Sequence, residues 1–221
     1  MNLRVGPDGA LYIVDMYREI IEDYSAVPRF LQQQYGLNKG KDHGRIWRLS
    51  PKGKALAPNE KLAKAKVNEL AHALAADNPW RRAAAQRILI ERGDRGARDS
   101  LVKLLRAERA APSGVIRALQ TLRALKSLES ADVLVALAHQ DYRVRVHGLR
   151  LAGPWLDSNQ ALRSELVRLS HDSDARVRLE LAMTLGESNA FWSVESLIDL
   201  AERHGSDRWM AAAILSSANN R

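Results

Sequence analysis

Apolar positions along the chain follow two different rhythms, and the change falls near residue 50. Before it, Leu11 and Ile13 alternate with Tyr12 and Val14, and Ile46 and Arg48 alternate with Arg45, Trp47 and Leu49. Period two is the signature of strands. Strands are therefore predicted at 11–15 and at 44–49, with a short helix over 16–24 and an irregular excursion over 28–41. The turn before the first strand is Gly6-Pro7-Asp8-Gly9. Pro7 presets φ, Asp8 can bind its own downstream backbone, and Gly9 supplies positive φ.

After residue 60 the spacing becomes i, i+3, i+4, i+7, the stripe of an amphipathic helix. One set of stripes runs through Val67, Leu70, Ala71 and Leu74; Leu101, Leu104 and Leu105; Leu134, Leu137 and Ala138; Leu162, Leu166 and Leu169; Val194, Leu197, Ile198 and Ala201. A second set alternates with it: Trp80, Ala84 and Ile88; Val115, Leu119 and Leu122; Val144, Gly148 and Leu151; Val177, Leu181 and Leu185; Met210 and Ile214. Between the two regions, Ser50 to Asn59 holds two prolines and a glycine, which interrupt helix and ladder alike and predict a linker. The expected division is 1–50, a linker at 51–59, and a helical array from 60 to 221.

The helical part repeats. Asp141-Tyr142-Arg143-Val144-Arg145 and Asp174-Ala175-Arg176-Val177-Arg178 are one phrase 33 residues apart, fainter at Asp207 and at Asp77-Asn78-Pro79-Trp80-Arg81. Gly153 and Gly186 follow at matching offsets and are expected to close the second helices. Helical pairs with this period cannot hide their apolar faces alone, so about five of them should stack as an α-solenoid. Asp141, Asp174, Asp207 and Asp77 are expected to cap the second helices. Arg81, Arg145 and Arg178 should then reach the aspartate of a neighbouring unit, forming a ladder.

The phrase Asp174-Ala-Arg-Val-Arg-Leu-Glu-Leu-Ala-Met-Thr-Leu-Gly186 resembles the HEAT-repeat consensus. Residues 5–22 and Asp42-His43-Gly44-Arg45-Ile46-Trp47-Arg48-Leu49 are similar to the last β-propeller blade of large planctomycete and verrucomicrobial membrane-bound dehydrogenases. In that family a propeller akin to quinoprotein sugar dehydrogenases precedes HEAT repeats and, often, a haem-binding module. The resemblance implies a mainly α chain with a short N-terminal remnant of a propeller blade, an internal piece of a larger exported or periplasmic protein. It implies a spacer or docking surface, with a protein partner or adjacent domains of the same polypeptide.

Composition narrows the chemistry. The 221 residues include no cysteine, which excludes disulfides, thiolate zinc sites and a cysteine nucleophile. The six histidines, at 43, 72, 139, 147, 171 and 204, fit no metal-binding spacing, and no cofactor is expected in this chain. Asp8 and Asp15 are too few for a calcium shell. Asp42 and His43, on the loop entering the last strand, are the remaining weak catalytic candidate. No apolar run reaches the roughly 18–20 residues that span a bilayer, and Met1 to Arg4 opens no apolar leader. Membrane insertion and a secretion address are therefore not expected.

The net charge is +8, and +7 of it lies after residue 50, because 1–50 hold seven basic and six acidic residues. A basic helical array suggests a nucleic-acid or polyanion groove as the alternative function. Partial pairing of the arginines with aspartates in the ladder weighs against it.

Overall fold

The computed structural model describes residues 2–18, 27–37, 39–40, 42–53, 55–56 and 61–218. It is mainly helical, with a small sheet at the N-terminus. Three antiparallel strands, β1 (Asn2–Val5), β2 (Leu11–Asp15) and β3 (Arg45–Leu49), lie in the order β1-β2-β3. The sequence reading anticipated two. β1 has only four residues and no alternation visible before its partner is known, and pairing of Val5 with Leu11 brings it into the sheet. In the turn joining β1 to β2, Gly6 N donates to Ala10 O at 2.9 Å and Gly9 takes φ +83°. A Cβ there would be strained, which explains Gly9.

The predicted excursion over 28–41 contains a short helix, α1 (Arg29–Gln34), which begins after Pro28. The helix expected at 16–24 lies mostly outside the described residues, and its described part, 16–18, has no regular structure. The predicted linker also falls partly outside them.

Ten further helices follow in five pairs: α2 (Val67–Ala73) with α3 (Pro79–Arg92), α4 (Arg98–Leu105) with α5 (Pro112–Ala124), and α6 (Ser130–Leu137) with α7 (Tyr142–Leu149). The last pairs are α8 (Gln160–Leu169) with α9 (Ala175–Leu185) and α10 (Phe191–His204) with α11 (Arg208–Ala218). Proline at the first position starts α3 and α5, where its missing N–H costs nothing. Each helix packs against its pair-mate, and all but α10 also pack against a helix two along; α10 lies instead against α9 and α11. One row contains α2, α4, α6 and α8; the other contains α3, α5, α7, α9 and α11.

Leucines fill the space between the rows, among them Leu101, Leu119, Leu137, Leu149, Leu162, Leu166 and Leu181, all without solvent exposure. Two apolar clusters meet at α4 and α5, where Leu101 and Leu122 belong to one, Leu105 and Leu119 to the other, and Leu128 touches both. In α3 the buried stripe is Ala85 and Leu89, one position on from the predicted Trp80, Ala84 and Ile88, and Trp80 is 37% exposed.

Gly186 closes α9 as expected, as the residue at its C-terminal cap. Gly186 sits at φ −64° and is not a left-handed cap. A Cβ on it would lie 2.8 Å from the Ser217 Cβ, so glycine is needed for α9 and α11 to approach closely. Gly153 belongs to a short 3-10 turn, Gly153–Trp155, beyond the end of α7.

Candidate functional site

The most organised polar chemistry lies at the N-termini of the second-row helices. Asp141 accepts from Arg143 N at 2.9 Å and Asp174 from Arg176 N at 2.9 Å, each satisfying a backbone donor that the helix leaves unpaired. Each carboxylate also receives a two-pronged guanidinium: Arg143 Nε and Nη2 reach Asp141 at 3.0 and 2.7 Å, and Arg176 Nε and Nη2 reach Asp174 at 3.0 and 2.8 Å. The hydrogen bonds from Arg176 are the main reason the Asp174 carboxyl is held down from 3.8 to about 2. Arg143 similarly lowers Asp141. Asp207 caps α11, accepting from Trp209 N and Met210 N at 2.9 Å each.

The first unit departs from the expected register. Asn78, not Asp77, caps α3, with its Oδ1 accepting from Trp80 N at 2.9 Å. Pro79 fixes the first helical residue, so the cap falls at 78 and the whole phrase is displaced by one. Arg82 consequently holds the place expected for Arg81: its Nη1 donates to Ala76 O and Asp77 O at 2.7 and 2.8 Å, as Arg145 Nη1 donates to His139 O and Gln140 O at 2.8 and 2.9 Å. Arg81 lines a separate basic cavity of about 670 Å³ with Lys61, Lys64 and His72.

The ladder also takes a different partner. Arg145 does cross to the next unit, but it meets Asp172 rather than Asp174, with Nε 2.7 Å from Oδ2 and Nη2 2.9 Å from Oδ1. Asp174 is already committed to Arg176 and the helix start, while Asp172 projects from the preceding loop and also accepts from Asp174 N at 2.8 Å. Arg176 reaches the other way, stacking 3.5 Å above the Tyr142 ring and donating to its hydroxyl at 2.8 Å.

Further ties between neighbouring units escaped the sequence reading. Arg98 pairs with Asp132 and Glu129, each at 2.8 Å, and Arg150 pairs with Glu180 at 2.8 Å. Their separations, 30 to 34 residues, match the repeat period, which is the signal that would have found them. Arg178 Nη1 donates to Asp172 O. Among the described residues no carboxylate lies within ion-pair distance of Arg178.

A cleft of about 360 Å³ opens beside Arg178, between α9 and the start of α11. Arg176, Arg203 and His204 provide its polar wall, and Leu179, Trp209 and Met210 its apolar one. Burial, followed by the nearby charges of Arg178 and Arg203, pushes the His204 imidazole below its ordinary value.

In the sheet, Asp8 does more than shape the Pro7-Asp8-Gly9 turn. It accepts from Ala10 N at 3.0 Å, from the Tyr12 hydroxyl at 3.0 Å, and from Arg48 Nε and Nη2 of β3 at 2.9 and 2.5 Å. The hydrogen bond from Arg48 is the chief cause that lowers the Asp8 carboxyl. Asn78 Nδ2 donates to Gly6 O and Pro7 O, each at 3.0 Å, and so joins this turn to the start of α3. His43 meets the edge of the Tyr17 ring at 5.7 Å between centroids, and Arg45 lies 3.6 Å above that ring. Asp42 is exposed on the same loop. Among the described residues no group of three or more histidine, aspartate or glutamate side chains is placed to hold a metal ion. No described helix is long and apolar enough to cross a membrane.

Residues 1–53 match a protein family described as a domain of unknown function, DUF7133. The similarity covers the sheet and its following turn and stops before α2. No curated protein matches the chain.

Proposed function

We propose that the helical pairs form a HEAT-like α-solenoid, and that the sheet is the end of a β-propeller blade in a larger, exported, dehydrogenase-like protein. In this reading the chain is a non-catalytic scaffold that spaces or docks other domains or a protein partner. The observation that carries it is the packing of α2, α4, α6 and α8 in one row and of α3, α5, α7, α9 and α11 in another, tied at the seams by pairs such as Arg145–Asp172 and Arg98–Asp132. Stacking of that kind builds an extended surface from units that contact their neighbours.

The sheet supports the second half of the reading. Leu3, Val14, Ile46, Trp47 and Leu49 are all exposed on it, and apolar sheet faces of this sort ordinarily lie against another layer. Asp8, Arg48 and Tyr12 hold the turn in shape without any substrate-facing group among them.

The test is to assay the chain for oxidation of sugars with an artificial electron acceptor, and for retention of duplex DNA at rising salt. No turnover and only weak retention are expected. Turnover by the chain would overturn the scaffold reading, and tight binding that falls steeply with salt would replace it with the polyanion reading. Arg143 and Arg176, two of the basic side chains that recur with the repeat, are each engaged two-pronged by an aspartate.

A further inference from the structure

Arg145 and Arg178 occupy the same place in successive helical pairs. Each stands four residues after a capping aspartate, and each turns Nη1 back to the carbonyl six residues before it, His139 O or Asp172 O. Arg145 then closes on the Asp172 carboxylate, and both side chains are largely buried. The residue 33 positions after Asp172 is Gly205, which has no side chain to offer. Arg178 therefore lacks the carboxylate that its counterpart has. The Nε atoms of both arginines are buried without a hydrogen bond; what sets Arg178 apart is the missing carboxylate, since Asp172 accepts from Arg145 Nη2 and lies in ion-pair contact with its Nε.

The cleft lies at this place. Of its other cations, Arg176 is closed by Asp174, and Arg203 is held by Asp199 and the Ser170 hydroxyl. Asp207, also in the wall, spends one carboxylate oxygen on the two backbone amides at the start of α11. What remains for a ligand is the guanidinium of Arg178 beside an apolar shelf of Leu179, Met210 and Trp209, with the second oxygen of Asp207 also facing the cleft. Trp209 is 62% exposed, with Arg208 stacked 4.4 Å from its ring.

We propose that this cleft docks an acidic segment of a partner protein. An aspartate or glutamate of the partner binds Arg178 as Asp172 binds Arg145, and a neighbouring apolar side chain rests on Trp209 and Met210. Charge complementarity argues for this occupant: one unit earlier the protein itself places a carboxylate against the equivalent guanidinium, bonded by Nη2 and in ion-pair contact, and arginine is suited to recognising carboxylates. The assignment deepens the docking reading above and rests on it for the ligand being a polypeptide.

The experiment measures fluorescence anisotropy of a fluorescein-labelled peptide of alternating glutamate and leucine, with the glutamine counterpart as reference. The glutamate peptide is expected to bind and the glutamine peptide to bind much more weakly. Arg178→Met should weaken binding about tenfold or more, the usual weight of a charged hydrogen-bonded contact. Trp209→Ala, at an exposed position, should weaken it severalfold. Arg106→Gln, which removes the same charge from the α4–α5 loop, should leave it unchanged. Absence of binding, equal binding of the two peptides, insensitivity to Arg178→Met, or an equal loss in Arg106→Gln would each overturn the site. If Arg178→Met does not fold, hydrogen exchange on the unaltered protein decides: the peptide must protect 175–180 and 206–211, and protection elsewhere rejects the proposal. A peptide that binds through another surface removes this site while leaving the scaffold reading standing, since that reading fails on sugar turnover instead.

Discussion

Asn78 combines two roles that are separate elsewhere in the chain. Its Oδ1 caps α3 and its Nδ2 holds the carbonyls of the β1–β2 turn. Asn78→Ala is expected to lower stability by about 1 kcal/mol from the cap alone, with the turn contacts adding to it. Asp77→Ala should stay within about 0.5 kcal/mol, as surface changes usually do. Urea unfolding of the two variants measures the contrast, and a larger loss for Asp77 would mean that the register described here is wrong. The capping residues were largely legible in the sequence because aspartate before a helical stripe has a mechanism. At Asp77 the repeated aspartate is a misleading signal, because Pro79, with its fixed φ, decides where α3 begins.

Asp174 gives the same scale a pH dependence. Its carboxyl is a stronger acid in the folded chain, about 2, than its ordinary 3.8, so the group stabilises the fold above about pH 4. That contribution is lost as pH falls through 3.8 toward 2. Asp174→Asn keeps a competent cap but removes the titration. Urea midpoints at about pH 5 and about pH 2.5 should differ less in this variant than in the unaltered chain.

Among the elements, packing rather than propensity governs the tightest seams. Gly114 lies in the first turn of α5, where an added Cβ would come within 2.9 Å of the Ala75 Cβ and 3.0 Å of the Ala75 Cα. Alanine normally favours a helix over glycine by about 1 kcal/mol, yet Gly114→Ala is expected to destabilise by about 1–3 kcal/mol because the clash includes main chain. Thermal unfolding gives the sign directly. Periodicity alone was enough to place the five helical pairs, since each carries its apolar stripe in its own sequence. The partners of Arg145 and Arg98 were not legible, because Asp172 and Asp132 are distinguished from other acids only once neighbouring pairs are stacked. The third strand was missed for a related reason: four residues of β1 acquire meaning only from the pairing of Val5 with Leu11.

For the whole molecule, the sheet brings together several exposed apolar side chains among the described residues. Ile46 is 67% exposed, and Trp47 and Leu49 are exposed beside it on β3. Strands with open amides and apolar faces invite a second chain. The chain alone is expected to self-associate as its concentration rises, and Ile46→Lys with Trp47→Lys should shift it toward monomer in sedimentation velocity. A concentration-independent monomer in the unaltered chain would remove this expectation and weaken the proposal that the sheet belongs against another layer.

The amide of Asn78 has a mechanical corollary. Besides the covalent chain, this side chain ties the sheet to the opening turn of α3, where a helix is least reinforced by its own backbone bonds. A pull or tilt of whatever the sheet adjoins would thus loosen the leading pair of helices first, giving the molecule a built-in yield point at its junction while the later pairs stay locked.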